Sequence, residues 1–405
     1  MAVERCAGID WAKEAHRVSV LEADGSPLVE QGFTHDERGL GQLCELLVGL
    51  GVKRVAIERP DGVLVGRLLE AGLAVLPIHP NQLKAARPRF RAAGGKSDSF
   101  DAFCLAELAR TDHHRFRVLA PDSDETKALR ALTRAREDLV RTRVSLTNCL
   151  HAELEAFWPG ADRVFCRIAS PIALAFLERY PSPTDARRLG EKRLAGFLAR
   201  HGYCGGKSAA ELLARLRCAP EGRVQETEEE ARRTAVLSLV AALKPLVEQI
   251  RVLDSRIAHA VHAHPDGGVF LSLFRDPGSM LTAAKLLSEI GDRRERYPTA
   301  EALAADAGMC PVAKESGKRK VATFRRACNK RLRDTLATLA DCSRQHNPWA
   351  KDVYLRARER GCDHPHAIRI LGRAWVRVIW RMWQDGVPYD PLKHGGRRRL
   401  DAAGG

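Results

Sequence analysis

Cys6-Ala7-Gly8-Ile9-Asp10-Trp11 opens the chain with an apolar run broken by one carboxylate, and Arg54-Val55-Ala56-Ile57-Glu58 repeats that arrangement further along. A carboxylate inside or at the end of an apolar strand is costly unless something cationic meets it, so both runs mark a site as well as a sheet. Working outward, 6–22 and 27–33 read as strands around the turn Ala23-Asp24-Gly25-Ser26, which suggests a hairpin. A helix over 37–50 follows, then the strand 54–58, a helix over 63–71 and a strand over 74–78. Hairpin first and strand-helix-strand second is a mixed α/β layer pattern. One more helix starts near Ser97, whose hydroxyl can cap it, and runs through Leu105 and Leu108.

That last helix adds two carboxylates. Asp98 and Asp101 are three residues apart in Lys96-Ser97-Asp98-Ser99-Phe100-Asp101 and share a helical face. With Asp10 and Glu58 they give four hard oxygen donors, a set suited to Mg²⁺ or Mn²⁺. Two such ions roughly 4 Å apart would stabilise attacking and leaving oxygens in phosphoryl transfer. The plainer alternative is that Asp98 caps its own helix and Glu58 pairs with Arg59 or Lys96.

Past residue 123 the pattern lengthens. A single helix is expected over 124–158, with Leu132, Leu139 and Leu146 seven apart and Leu129, Leu150, Leu154 and Phe157 widening the stripe. A second spans 226–261 on Val236, Val240, Leu243, Val247, Ile250 and Ile257, interrupted by Asp254 and with Pro245 expected to kink it. Each stripe fits a coiled coil between two copies or burial within a helical bundle. Between them, 162–223 reads as short helices without a recognisable site. The last domain begins near Phe270: a turn at Asp276-Pro277-Gly278, a helix over 281–290, a turn at Gly291-Asp292 that would present backbone amides to a phosphate, and helices over 325–345 and 364–384. The expected domains are 1–118, 119–265, 266–392 with helix-turn-helix-like elements, and a basic flexible tail from 393 to 405.

The 405 residues carry a net charge of +15, and it is unevenly placed. From Pro311 to Gly405 there are 22 Lys or Arg against 9 Asp or Glu, a surplus of 13 that leaves the rest nearly neutral. A local surplus of that size favours a polyanion, because each neutralised phosphate releases counterions. Arg369, Arg373, Arg377 and Arg381 share one face of the last helix, where they either track a nucleic-acid backbone or snorkel as a solvated face. No run approaches the roughly 18 apolar residues of a membrane span, and the first residues lack the order of a signal peptide, so a cytoplasmic protein is expected. Eleven cysteines occur singly, without zinc spacing, and read as reduced and mostly buried. His259, His262 and His264 read as surface residues.

Gly8-Ile9-Asp10 with Lys13, then Glu58, then Lys96-x-Asp98-x-x-Asp101-Ala102 resemble the DEDD signature of the Piv-type invertases and insertion-sequence transposases. The resemblance continues through Pro277-Gly278, Thr282-Ala283, Glu289-Ile290-Gly291-Asp292, Gly308-Met309-Cys310-Pro311, Ser316-Gly317 and Asn329-Lys330-x-Leu332-Arg333, and so covers the chain outside about 160–225. It implies an N-terminal RNase H-like domain similar to the RuvC resolvase; the apolar stripes and the helices read after Phe270 add long coiled-coil helices and an all-α C-terminal domain to the expected fold. It further implies recombination of DNA with metal on Asp10, Glu58, Asp98 and Asp101, a covalent phosphoserine link through Ser316, and for some members a structured bridge RNA as guide. Such a protein would associate with the bacterial nucleoid, as a homo-oligomer. Lys314, Lys318, Arg319 and Lys320 flank Ser316 and could hold a phosphate, with Gly317 letting the backbone approach. Arg325, Arg326, Lys330 and Arg333 extend the nucleic-acid-binding set. Cys328 stands where the family usually has glycine, and Glu315 where it commonly has glutamine. Serine is a weak nucleophile at neutral pH and needs a base or metal, so this mechanism requires the carboxylates and Ser316 to meet. The alternatives are a RuvC-like nuclease using activated water, and a nucleic-acid-binding scaffold whose acidic cluster is vestigial.

Overall fold

The computed structural model describes residues 4–91, 97–220, 222, 224–274, 279–316 and 319–393, and falls into two units that divide after Pro121. In the first unit, β1 (Cys6–Trp11), β2 (Ala15–Leu21) and β3 (Pro27–Thr34) form an antiparallel meander, while β4 (Arg54–Ile57) and β5 (Ala74–Pro77) add parallel to β1, giving the order β3-β2-β1-β4-β5. The run 6–22, expected as one strand, is itself a hairpin. Trp11 and His16 are its last paired residues, with Ala12, Lys13 and Glu14 turning between the strands. Helices α1 (Glu37–Gly49) and α2 (Val63–Glu70) cover one face; α3 (Pro80–Phe90) and α4 (Asp98–Thr111) accompany the other.

Strand alternation sorts the residues between the two faces. Ala7, Ile9, Val55, Ile57 and Val75 join Leu40, Leu43, Leu47, Leu64 and Leu68 in one cluster, while Cys6, Ala56 and Leu76 join Leu83, Leu105 and Leu108 in the other. Gly8 shares the second face and lets α4 lie directly on β1. A Cβ at residue 8 would come within 2.1 Å of the Ala102 carbonyl oxygen and 2.3 Å of the Ala106 nitrogen. Both are backbone atoms of a packed helix and cannot swing aside. Gly8→Ala is therefore expected to cost at least about 2 kcal/mol through forced separation of helix and sheet, read as a lower urea midpoint for the first unit.

The second unit is mainly helical. Two long helices, α5 (Asp124–Phe157) and α11 (Glu226–Ala263), pack against each other, and Pro245 lies inside the continuous α11. Five short helices lie between them: α6 (Pro159–Val164), α7 (Pro171–Arg179), α8 (Pro183–Ala186), α9 (Glu191–Arg200) and α10 (Ala209–Arg217). These close a core around Phe157, Phe176, Phe197 and the buried ends of both stripes, Leu150 and Leu154 with Val236, Val240 and Leu243. Those stripe residues are thus buried within the chain itself.

The remaining helices are α12 (Gly267–Leu271), α13 (Met280–Ile290), α14 (Ala300–Asp306), α15 (Lys330–His346), α16 (Pro348–Glu359) and α17 (His364–Asp385). They share a second core with Trp375 and Trp383 at its centre. An all-α C-terminal domain is corrected here: β6 (Val312–Ser316) and β7 (Arg319–Thr323) form an antiparallel hairpin. Its lysines and arginines hide the short Val, Ala and Thr alternation that a strand needs. The helix expected from residue 325 begins only at Lys330, where the Asn329 side chain caps it by accepting from the Leu332 amide at 3.2 Å.

Three further expectations change. His264 is 4 % exposed, shares a 2.8 Å hydrogen bond with the Thr126 hydroxyl and accepts from the Asp266 amide, and burial lowers its pKa. Only Cys6 and Cys104 of the eleven cysteines are buried, five of the others being exposed. The Gly291-Asp292 turn does not offer its amides to a ligand. The Gly291 amide bonds Leu287, the Asp292 amide donates to Asp122 at 3.2 Å, and the Gly291 carbonyl accepts from the Trp383 indole. Glycine is needed there, because φ is +87° and a Cβ would strike the Asp122 carboxylate at 2.3 Å.

Candidate active site

Asp10 follows Cys6 and Gly8 in strand parity and so belongs to the α4 face of the sheet; Glu58, one residue beyond β4, continues the parity of Ala56. The Ser97 hydroxyl accepts from the Phe100 amide at 3.2 Å, so the cap of α4 is Ser97 and Asp98 keeps its carboxylate out of that role. Asp98 is exposed, whereas Asp101, three residues on, is 1 % exposed and faces the sheet. Arg59 is occupied by the Asp61 carboxylate at 2.8 Å and lies over the Trp11 ring, which removes it as the partner proposed for Glu58. Lys96 lies outside the described residues.

One cation at this site was invisible in the sequence. Arg87 of α3 donates from Nε to Asp101 Oδ1 at 2.6 Å and from Nη2 to Oδ2 at 2.8 Å, a bidentate pair. Those hydrogen bonds, and the nearby Glu58 charge, raise the Arg87 pKa above its usual value. No residue-type pattern announced α3, a helix with Pro88 in its interior and Leu83 as its one buried residue. Among the described residues, no three acidic, His or Cys side chains come together as a group that could hold a metal ion. In this conformation the four carboxylates therefore do not fit a metal, and Asp101 already has its cation.

Ser316 is exposed at the end of β6, where the backbone register sets it opposite Arg319 and sets Glu315 opposite Lys320. Successive strand residues project to opposite faces, so Glu315 points away from the face that carries the serine hydroxyl. Gly317, Lys318 and the Pro277-Gly278 turn lie outside the described residues, as do the side chains of Lys314, Arg319 and Lys320 and the tail arginines 397–399. After the hairpin in sequence, Arg326 and Lys330 are exposed and Arg325 donates to the Cys310 carbonyl at 3.3 Å. Arg333 and Arg369 each lie over the ring of Phe324, which is 47 % exposed. Cys328 packs against Gly308, whose φ of +64° and missing Cβ make room for the thiol.

Residues far apart in sequence meet at the start of α15, beyond the hairpin. Asn329 donates from Nδ2 to Glu289 Oε2 at 2.9 Å, and Arg134 holds both oxygens of the same carboxylate at 2.7 and 2.8 Å. Burial pushes the Glu289 pKa up, but the Arg134 and Asn329 hydrogen bonds outweigh it and leave the pKa below its usual value. A network of this kind fixes the start of α15 on α13 and α5. The arginine stripe of α17 is divided. Arg369 and Arg373 are half-buried, while Arg377 and Arg381 are exposed with ion pairs to Glu301 at 3.7 Å and Asp385 at 2.7 Å. Exposed pairs of that kind are weak and give way to phosphate. Neutralising Arg369, Arg373, Arg377 and Arg381 together is expected to lower the slope of log affinity against log salt, by up to about one for each phosphate that is no longer neutralised. An unchanged slope in filter-binding titrations would make the stripe a packing face.

An α/β unit with carboxylates on one sheet face, followed by a basic helical unit, is the outline of an enzyme that processes DNA. Comparison with known proteins agrees. Residues 7–159 match a family model described as "Transposase", and residues 278–355 one described as "Transposase IS116/IS110/IS902 family". The chain is 31 % identical over 394 residues to the mini-circle putative transposase for IS117 of Streptomyces coelicolor, covering 95 % of this chain and 94 % of the relative. It is 29 % identical over 401 residues to an uncharacterized 42 kDa protein of insertion element IS900 from Mycobacterium paratuberculosis, covering 96 % and 98 %. An uncharacterized 44.8 kDa protein of IS116 from Streptomyces clavuligerus is 28 % identical over 390 residues, covering 95 % and 96 %. The chain belongs to the IS110/IS116 family of transposases. Its partner is therefore DNA, and no described helix is long and apolar enough to cross a membrane.

Proposed function

We propose that this transposase cuts and rejoins DNA through Ser316, with Asp10, Glu58, Asp98 and Asp101 as its Mg²⁺ or Mn²⁺ site once Asp101 is released. The observation that carries the reading is the exposure of Ser316 at the end of β6 in a short antiparallel hairpin. Attack by the Ser316 oxygen on a backbone phosphorus forms the O–P bond and breaks the bond to one strand end. That end leaves as a hydroxyl, and a hydroxyl from another strand reverses the step and frees the serine. The phosphodiester energy is kept in the protein-DNA link, so no external energy source is required.

Lys314, Lys318, Arg319, Lys320, Arg325, Arg326, Lys330 and Arg333 are the phosphate-binding set in this reading. The same basic segment suits a structured guide RNA as a second polyanion, and the reading includes assembly into a homo-oligomer bound at the nucleoid. Incubation with a DNA substrate followed by denaturing electrophoresis tests the central claim. Covalently attached protein is expected. Cleaved DNA without attachment would point to a metal-dependent nuclease, and binding without cleavage to a scaffold.

A further inference from the structure

The geometry points to Phe324 as a stacking platform for an unpaired DNA base: the exposed ring receives the base, while Arg333 and Arg369 beside it take the neighbouring phosphates. The inference goes beyond the reading above and uses neither Ser316 nor the carboxylates; it needs only DNA as the partner of this family.

Phe324 is the first residue after β7 and keeps 47 % of its surface exposed, although two side chains already lie over its ring. The guanidinium carbon of Arg333 is 5.4 Å and that of Arg369 5.3 Å from the ring centroid. One comes from α15 and the other from α17, so two helices each bring a cation to the same exposed aromatic residue. A lone phenylalanine on a surface needs no explanation. Here the neighbours are cations, and a guanidinium beside an open aromatic face matches the two parts of a nucleotide. The phosphate meets the charge, and the base, whatever its identity, offers a face to stack on the ring.

The charge around the ring is poorly neutralised. Among the described residues Arg369 has no ion pair, nor has Arg373 one turn on, whereas Arg377 and Arg381 pair with Glu301 and Asp385. Arg333 meets Asp334 at 3.4 Å, but that carboxylate is exposed and such pairs are weak. The first turn of α15 carries Lys330, Arg331 and Arg333 and no acid, against the preference of the helix dipole. Phosphate at that end supplies the missing negative charge. The base must be an unpaired one. In a duplex each base face is covered by its neighbours, so a side-chain ring reaches it only when the base has left the stack. Strand transfer takes bases out of a duplex, and a transposase therefore meets such nucleotides in its own reaction.

The test titrates the full chain by fluorescence anisotropy against a single-stranded DNA oligonucleotide, a duplex of the same sequence and a single-stranded RNA of that sequence. The proteins are wild type, Phe324→Leu, Phe324→Trp and Arg369→Gln. Leucine keeps an apolar side chain at a half-exposed position and removes the ring, so the melting temperature should stay near that of wild type. Phe324→Leu is expected to weaken single-stranded DNA binding about tenfold and duplex binding by less than about twofold, with the salt dependence unchanged, because stacking releases no counterions. Phe324→Trp restores a ring and should restore the affinity. Arg369→Gln should instead lower the slope of log affinity against log salt by about 0.7 on single strands. If leucine lowers the melting temperature, the ratio of single-stranded to duplex affinity within that one variant still carries the test. Unchanged single-strand affinity in Phe324→Leu would make the ring a packing residue for the two arginines and overturn the inference, as would an equal loss on single strand and duplex. A loss confined to RNA would overturn it in favour of an RNA platform. None of these results bears on Ser316, whose test is the covalent adduct.

Discussion

Replacing Asp10, Glu58 or Asp98 with alanine, or Asp101 with asparagine, is expected to reduce strand cleavage and exchange by roughly a thousandfold or more while leaving DNA binding within a few-fold of wild type. The magnitude follows from the several kcal/mol of transition-state stabilisation that a metal site supplies, at about 1.4 kcal/mol per tenfold in rate. Binding is spared because it rests on the basic residues of the other unit and on phosphate neutralisation. The structure separates the four acids. Asp98 is exposed, and its loss should leave the melting temperature unchanged. Asp101 is buried on Arg87, so alanine there would also remove a bidentate ion pair and a packed side chain and lower stability, confounding the activity assay. Asparagine keeps the shape and one acceptor. Near-normal recombination in Mg²⁺ by any two of these variants would remove the carboxylates from the chemistry.

Ser316→Ala should abolish strand exchange and the covalent adduct together, with folding and affinity almost untouched. Ser316 is exposed at the end of β6, so the loss of one oxygen should stay within about 0.5 kcal/mol of wild-type stability. Denaturing gels should show wild-type protein attached to DNA and the alanine variant free. Ser316→Cys should keep a trace of adduct, since a thiolate is nucleophilic but differs in size and metal preference. Exchange by Ser316→Ala at close to the wild-type rate would transfer the role of nucleophile to water or to another residue. Paired with the carboxylate variants, this experiment distinguishes two chemistries: loss in both series supports serine recombination, and loss in the carboxylate series alone supports metal-dependent hydrolysis.

What the sequence determined by itself was local or periodic. Apolar runs carrying a single carboxylate marked β1 and β4, Ser97 announced the start of α4, and heptad and 3.6-residue stripes located α5, α11 and α17 to within a few residues. The order of the motifs picked out Ser316, Glu289 and Asn329. These signals survive because neighbours along the chain generate them, whatever they later pack against. Tertiary structure alone decided how such residues are paired. Arg87 meets Asp101 across the gap between two helices, Glu289 finds Arg134 155 residues away, and the Asp292 amide is satisfied by Asp122 at a separation of 170. It also decided that a lysine-rich segment would be a β-hairpin and that His264 would be buried. The physical reason is the same in each case: a buried charge or amide must find a partner somewhere, but the partner's place depends on which surfaces the whole chain brings together, and no local pattern records it.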